Sequence, residues 1–238
     1  MKFHPDKCVV LPVTRKNTTI NPSYFLHGQK LAVVKDAKYL GCTLTHNLRW
    51  KQHSDQICSK ANRTLGFLKR NLRINSQQLK TQAYTSLVRP LVEYASPVWD
   101  PYTQETIDQV ESVQRRAARY VTNKYDWKKS ASDLIETLRW QSLEQRRQDA
   151  RLTLLYKIAN GLVHIEKDNR LIPPRRTSRH THGNSFQTPS TGQDYRKNSF
   201  FPRTIVDWNC LPCDITAAPS LEAFKASLGA LRWSERLN

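Results

Sequence analysis

Between His53 and Val121 three apolar stripes recur at the helical period, and they narrow the possible folds more than any other feature of the chain. Ile57, Ala61, Leu65, Leu68 and Leu72 fall at steps of four, four, three and four. Leu79, Ala83, Leu87 and Leu91 follow at steps of four, and Ile107, Val110, Gln114, Ala117 and Val121 at three, four, three and four. Such stripes form stable helices only when each finds a partner to bury against. The opposite faces carry Lys60, Arg63, Lys69, Arg70 and Arg73 early, and Arg115, Arg116 and Arg119 later. We read this stretch as a helical bundle that lays positive charge on a polyanion.

Local signals place the ends of these helices. The first is expected to start near Trp50 to Ser54. Asn75 or Ser76 caps the second, with Gln78 three residues after Asn75 in the spacing of a capping box. Pro90 removes one backbone donor and disfavours helical geometry at Arg89, so a kink or break is expected there. Ser96-Pro97 and Asp100-Pro101 close that element, and Thr103 can cap the next helix, which runs to about Val121. A short helix over 132–138 follows. Ser142, with Gln145 three later, caps a helix whose apolar face is Leu143, Ala150, Leu154 and Ile158 and which also carries Arg146, Arg147 and Arg151. Gly161 stops it.

On either side the pattern changes. Lys7 to Thr14 is β-rich, with Pro12 marking an edge or an end. His27-Gly28 reads as a hairpin turn between two short strands, and Ala37 to Leu44 as a fourth strand. No later run offers strands to complete a sheet, and the chain opens abruptly, so we expect the tail of a longer protein. From Arg170 to Arg203 there are seven Lys or Arg and one acid, Asp194, with no visible period. That segment reads as a basic linker or nucleic-acid-contacting loop. Order is expected to return at Phe200, and Ser220 caps a final helix with Leu221, Phe224 and Leu228 on one face.

Charge narrows the partner. The 238 residues carry 38 Lys plus Arg against 20 Asp plus Glu, a formal net charge of +18. An excess recurring in separate segments with few compensating acids suits RNA or DNA held by the phosphate backbone, without base readout. No apolar run is long enough to span a bilayer and the first residues do not read as a signal peptide, so no membrane partner is expected. Five cysteines, an odd number in a chain of this length, suit reduced thiols in an intracellular protein, nuclear or cytoplasmic. Cys210-x-x-Cys213 invites zinc with His180 and His182, but the pairs are far apart and Pro212 stiffens the middle, so no metal is assigned. The acids Asp6, Asp36, Asp55, Glu93, Asp100 and Glu105 are scattered, and no phosphate-cradling Gly loop or paired-carboxylate motif occurs.

Four stretches occur in a telling order: M-K-F-H-P-D-K-C at 1–8, K-Y-L-G-C-T-L at 38–44, L-V-R-P-L-V-E-Y-A-S-P-V-W-D-P at 87–101 and S-F-F-P-R-T-I-V-D-W-N-C-L-P at 199–212. Together they resemble the C-terminal part of a non-LTR (LINE-type) retrotransposon reverse transcriptase, an RNA-directed DNA polymerase. The resemblance covers nearly the whole chain. It implies a right-hand polymerase in which residues 1–45 are a palm-tail β remnant and 46–165 a thumb-like helical bundle. Residues 166–199 would be a basic irregular linker, and 200–238 a W-N-x-L-P segment with a helix. Lys7 stands where the palm motif after the catalytic aspartates often has a lysine, implied to protonate leaving pyrophosphate. Tyr39, Leu40 and Gly41 resemble the turn that grips the primer end. Lys60, Arg63, Lys69, Arg70, Arg73, Arg115, Arg116 and Arg119 would hold the template–primer duplex by its backbone. The family's metal-binding aspartates lie upstream of this palm tail, so the parent enzyme would use Mg while this chain carries no cofactor and does not polymerise unaided. The missing fingers and palm are an implied partner.

The expected fold is α+β and mainly α: a small antiparallel β remnant, a thumb-like bundle and an irregular basic C-terminal extension. Two alternatives accompany the reading of a nucleic-acid-binding fragment. The chain is part of an active reverse transcriptase whose gene model is truncated, or a decayed transposon remnant without a selected function.

Overall fold

The structure is a computed structural model that describes residues 3–14, 23–126, 130–174 and 182–237, with side chains of the last helix described as far as Leu231. It is mainly helical, with a few short strands near the N-terminus. The chain divides into two units, residues 1–95 with 99–140, and residues 96–98 with 141–238.

In the first unit the strands form three separate two-stranded ladders. β1 (Val9–Val10) pairs with β4 (Ala32–Val33) in parallel, which departs from the all-antiparallel expectation. β2 (Phe25–Leu26) and β3 (Gln29–Lys30) form the hairpin expected around His27-Gly28, whose φ values of 50° and 80° suit a tight hairpin turn. The fourth strand is itself a hairpin, β5 (Asp36–Tyr39) and β6 (Cys42–Thr45), because Leu40 (φ 45°) and Gly41 (φ 84°) reverse the chain.

The helices follow. α1 (Lys51–Asn71) buries Ala61, Leu65 and Leu68, as its stripe predicts. Next comes one continuous helix built of α2 (Gln77–Ala83), a π turn (Tyr84–Val88) and α3 (Arg89–Glu93). The break expected at Pro90 takes the form of this π turn. Arg89 donates its N–H to the carbonyl of Tyr84 five residues back, which opens the turn that the proline ring would otherwise crowd.

The stripe assigned to this helix is corrected. Leu79 and Leu87 are each 52% exposed, and the buried residues are Lys80, Tyr84, Val88 and Val92, one position along. Both sets have a spacing of four, and the set that includes Tyr84 finds a polar partner inside. Its hydroxyl donates to Gln114 Oε1 at 3.1 Å, and its ring stacks on Trp140 at 4.6 Å. After α4 (Ser96–Trp99), α5 (Gln104–Thr122) buries Ile107, Val110, Gln114, Ala117 and Val121 as expected. α6 (Ala131–Thr137) completes this unit.

The caps are partly as expected. Ser76, not Asn75, accepts from the N–H of Leu79, and Ser142 accepts from that of Gln145. Thr103 occupies the N-cap position of α5 but its hydroxyl bonds that of Thr106 instead of a backbone N–H.

The second unit holds α7 (Leu143–Ala159), α8 (Asp194–Lys197), α9 (Phe200–Asn209), α10 (Cys213–Thr216) and α11 (Leu221–Leu237). α7, read from sequence as part of the 46–165 bundle, belongs here and packs on α9 and α11. Its buried face is Leu143, Leu152, Leu155, Tyr156 and Ile158, while Ala150 and Leu154 are only half-buried. Arg147 and Arg151, carried on this helix, are 0% and 3% exposed. For Arg151 the compensating acid comes from α9: Asp207 Oδ2 lies 2.9 Å from one of its nitrogens, and its other terminal nitrogen donates to Thr204 Oγ1.

The core joins Leu152, Leu155, Ile205, Trp208, Phe224 and Leu228. Phe224 stacks on Tyr156 at 4.6 Å and on Trp208 at 5.7 Å. Order also begins earlier than Phe200. Trp208 donates its indole N–H to the carbonyl of Asn184 at 2.9 Å. Asn209 accepts from the N–H of Phe186 and donates to its carbonyl. The adjacent Trp and Asn thus staple an extended stretch by its backbone, which satisfies polar groups no helix or sheet would pair.

Candidate nucleic-acid interface

α1 and α5 run parallel, because the helix 77–93 carries the chain back to the starting end between them. The pairings rise together: Lys51 with Glu105 at 2.6 Å, the side chain of Gln109 with Asp55 at 2.6 Å, and the hydroxyl of Tyr120 with the carbonyl of Leu72 at 3.3 Å. Parallel packing brings both C-termini to one end. Both helices carry cations in the last turns, Lys69 and Arg70 on α1 and Arg119 on α5, where they complement the helix dipoles.

The seam between α1 and α5 therefore has two unlike ends. At the starting end, cation meets carboxylate. At the finishing end the exposed Lys69 and Arg116 stand near enough for like charge to act between them. Burial, and then the Arg116 guanidinium, hold the Lys69 ammonium below its ordinary pKa. Lys80 adds a third cation. It is buried, donates to Asn123 Oδ1 at 2.6 Å, and lies over the Tyr120 ring at 5.0 Å from its centroid. Asn123, in the left-handed conformation (φ 54°), ends α5 there.

Among the described residues, neither Lys69 nor Arg116 forms an ion pair. Arg119 is half-buried and donates to the carbonyl of Asp126 at 3.1 Å. Arg73 turns back to the carbonyl of Arg70, and Arg115 to that of Asp108 at 2.9 Å, away from the cationic end. Lys60, Arg63 and Arg70 are exposed, on the side of α1 opposite its buried stripe. The structure thus gathers Lys69, Arg70, Arg73, Arg116 and Arg119 at one end and leaves Lys60 and Arg63 earlier along α1.

Two residues at that end escaped the sequence reading. Lys124 and Tyr125 are exposed just past α5, and Lys69 Nζ stands 5.6 Å from the centre of the Tyr125 ring. In sequence they belong to a polar connection 50 or more positions from α1, with no periodic signal to single them out.

The remaining assigned residues lie elsewhere in the same unit. Tyr39 and Leu40 are 66% and 74% exposed at the tip of the β5–β6 hairpin, beside Gly41. The hairpin is held from several sides. Tyr94 donates its hydroxyl to the carbonyl of Leu40 at 3.1 Å. The N–H of Thr43 donates to His53 Nδ1 at 3.2 Å, and the hydroxyl of Thr43 to Gln56 Oε1 at 2.6 Å. A Cβ at Gly41 would stand 3.0 Å from the Tyr94 ring, and the φ of 84° is one that side chains rarely adopt. Gly41→Ala is therefore expected to cost about 1–2 kcal/mol and to disturb the tip, read as a lower urea midpoint.

His53 makes the docking pH-sensitive. It is buried against Trp99, with ring centres 5.3 Å apart, and burial first, then Lys38, pushes its pKa below 6.5. Its neutral Nδ1 is the acceptor for Thr43. The folded state resists protonation that the unfolded chain accepts, so this contribution is complete above about pH 6.5 and is lost as pH falls below it. Denaturation midpoints are expected to drop between pH 7.5 and 5.5, with a smaller drop in His53→Gln. Equal drops would show that the dependence arises elsewhere.

Lys7 is exposed at the end of a 3-10 turn (Pro5–Lys7). Among the described residues no group of three His, Cys, Asp or Glu is placed to hold a metal ion. None of the five cysteines forms a disulfide, and Cys210 and Cys213 are exposed. His180 lies outside the described residues, and His182 instead sits within hydrogen-bond reach of the Trp208 carbonyl and the Thr216 hydroxyl. Among the described residues no helix is long and apolar enough to cross a membrane. No protein-family model, curated protein or solved structure matches the chain.

Proposed function

We propose that the first unit binds RNA or DNA through the phosphate backbone, without sequence preference, at the cationic end of the α1–α5 seam. The observation that carries this is the gathering of Lys69, Arg70, Arg73, Arg116 and Arg119 at the shared C-terminal end of α1 and α5. Like charges gathered at one exposed end repel in the free protein, and a bound phosphate relieves that repulsion. Lys124 extends the positive surface there.

The same reading makes the chain a fragment of a non-LTR retrotransposon reverse transcriptase that keeps template–primer binding and lacks the catalytic aspartates. The turn at Tyr39-Leu40-Gly41 would then rest against the primer end, and the fingers and palm would be a partner supplied by the rest of such an enzyme. Mg would need clustered carboxylates, which the described residues do not supply, so no catalytic step is drawn for Lys7. An intracellular setting, nuclear or cytoplasmic, suits a nucleic-acid ligand and unpaired thiols.

Fluorescence anisotropy with labelled RNA and DNA tests the binding. Affinity is expected to be micromolar near physiological salt and to fall linearly in log–log form with salt, with a slope of about −3 to −5 for four to six phosphate contacts. A slope near zero would sink the proposal.

A further inference from the structure

We propose that Tyr125 is a stacking platform that makes this surface prefer an unpaired nucleotide over a continuous duplex. The inference rests on the phosphate-binding reading of the same end and adds a ligand class to it. Tyr125 is 58% exposed beside Lys69 and Lys124. It lies three residues past the end of α5, where Arg119 holds the following carbonyl, that of Asp126, at 3.1 Å. That bond holds the backbone just after the ring. Lys69 Nζ stands 5.6 Å from the ring centre on the α1 side, and Lys124 precedes the ring. The ring thus has an ammonium beside it and a held backbone after it, while more than half of its surface stays open.

The chemistry of that arrangement is specific. A nucleotide has a flat apolar base and an anionic phosphate a few ångströms away, and Tyr125 with Lys69 and Arg116 presents one partner for each. In a duplex the base faces are covered by their neighbours and only phosphates reach the surface. In a single strand, or an overhang beside a duplex, a base can swing out and cover the ring. Base-on-aromatic stacking tolerates any base, which agrees with binding that lacks sequence readout. The phosphate of a nucleotide stacked on the ring is expected to lie toward Lys69.

The test uses the full chain, a labelled 12-nucleotide oligouridine and a blunt duplex of equal length. Tyr125→Ala is expected to weaken oligouridine binding about tenfold and duplex binding less than twofold, and Tyr125→Phe to leave both unchanged. Circular dichroism melts of the variants, expected to match the parent because the ring is exposed, exclude a folding defect. Equal losses on both ligands, no loss on either, or loss with Tyr125→Phe as large as with Tyr125→Ala would overturn the platform. Those results leave the phosphate site standing if Lys69→Glu still weakens both ligands. If Lys69→Glu leaves both unaffected and binding ignores salt, the underlying site itself fails.

Discussion

Trp208→Ala is expected to unfold much of the second unit. The side chain is 1% exposed, stacks on Phe224 and lies beside Phe186 with ring centres 6.1 Å apart. Truncation removes the largest apolar contact of that core and leaves a cavity, at a cost of about 3–5 kcal/mol. The indole N–H also closes on the Asn184 carbonyl, so the loss frees a backbone acceptor as well. A domain is stable by roughly 5–15 kcal/mol, so the change removes a large share of the total. Hydrogen exchange followed by mass spectrometry gives the sharpest readout. Amides of residues 182–187 and of α9 should lose protection, while those of α1 and α5 should keep it. Asn209→Ala should release 182–187 but spare α9. A Trp208→Ala chain with parental exchange throughout would refute the stapling role of this pair.

Lys69→Glu with Arg116→Glu is expected to lower nucleic-acid affinity by on the order of a hundredfold and to flatten the salt slope by about two, one for each phosphate contact removed. The single variants separate binding from folding. Either glutamate alone faces a cation across the seam, so stability should hold or rise slightly while affinity falls. A like-charge pair kept for structural reasons would show the opposite, with loss of stability and unchanged affinity. Reversing Lys60 or Arg63, which stand away from the seam, should weaken binding several-fold less. An equal effect at all four positions would mean that diffuse charge, not this end of the seam, attracts the ligand.

Particular residues show where a pattern in the chain was enough and where it was not. The α1 and α5 stripes are legible because each is the single apolar arc of its helix. Leu79, Ala83, Leu87 and Leu91 misled because Lys80, Tyr84, Val88 and Val92 have the same spacing, and a lysine at one end hides the second arc. Only the partners decide between them: Gln114 for the Tyr84 hydroxyl, and Asn123 with Tyr120 for the Lys80 ammonium. Arg147 and Arg151 look like surface charges until Asp207, more than fifty positions away, is brought beside Arg151.

Strand propensity read 37–44 as one continuous strand, whereas the structure reverses the chain at Leu40-Gly41. The Gly41 φ of 84° is what a hairpin needs at that point. In the same way Trp208 and Asn209 are visible as a motif, yet the backbone they hold at 184–186 gives no signal of its own.

Local sequence determined the helices, most of their ends and the amount of positive charge, because period, capping and composition act over a few residues. Tertiary structure decided which charges meet. Parallel burial of the α1 and α5 stripes pairs cation with carboxylate at one end of the seam and gathers Lys69, Arg70, Arg116 and Arg119 at the other. That gathering arises from packing between segments some fifty residues apart, a distance over which neither helical period nor charge count carries information.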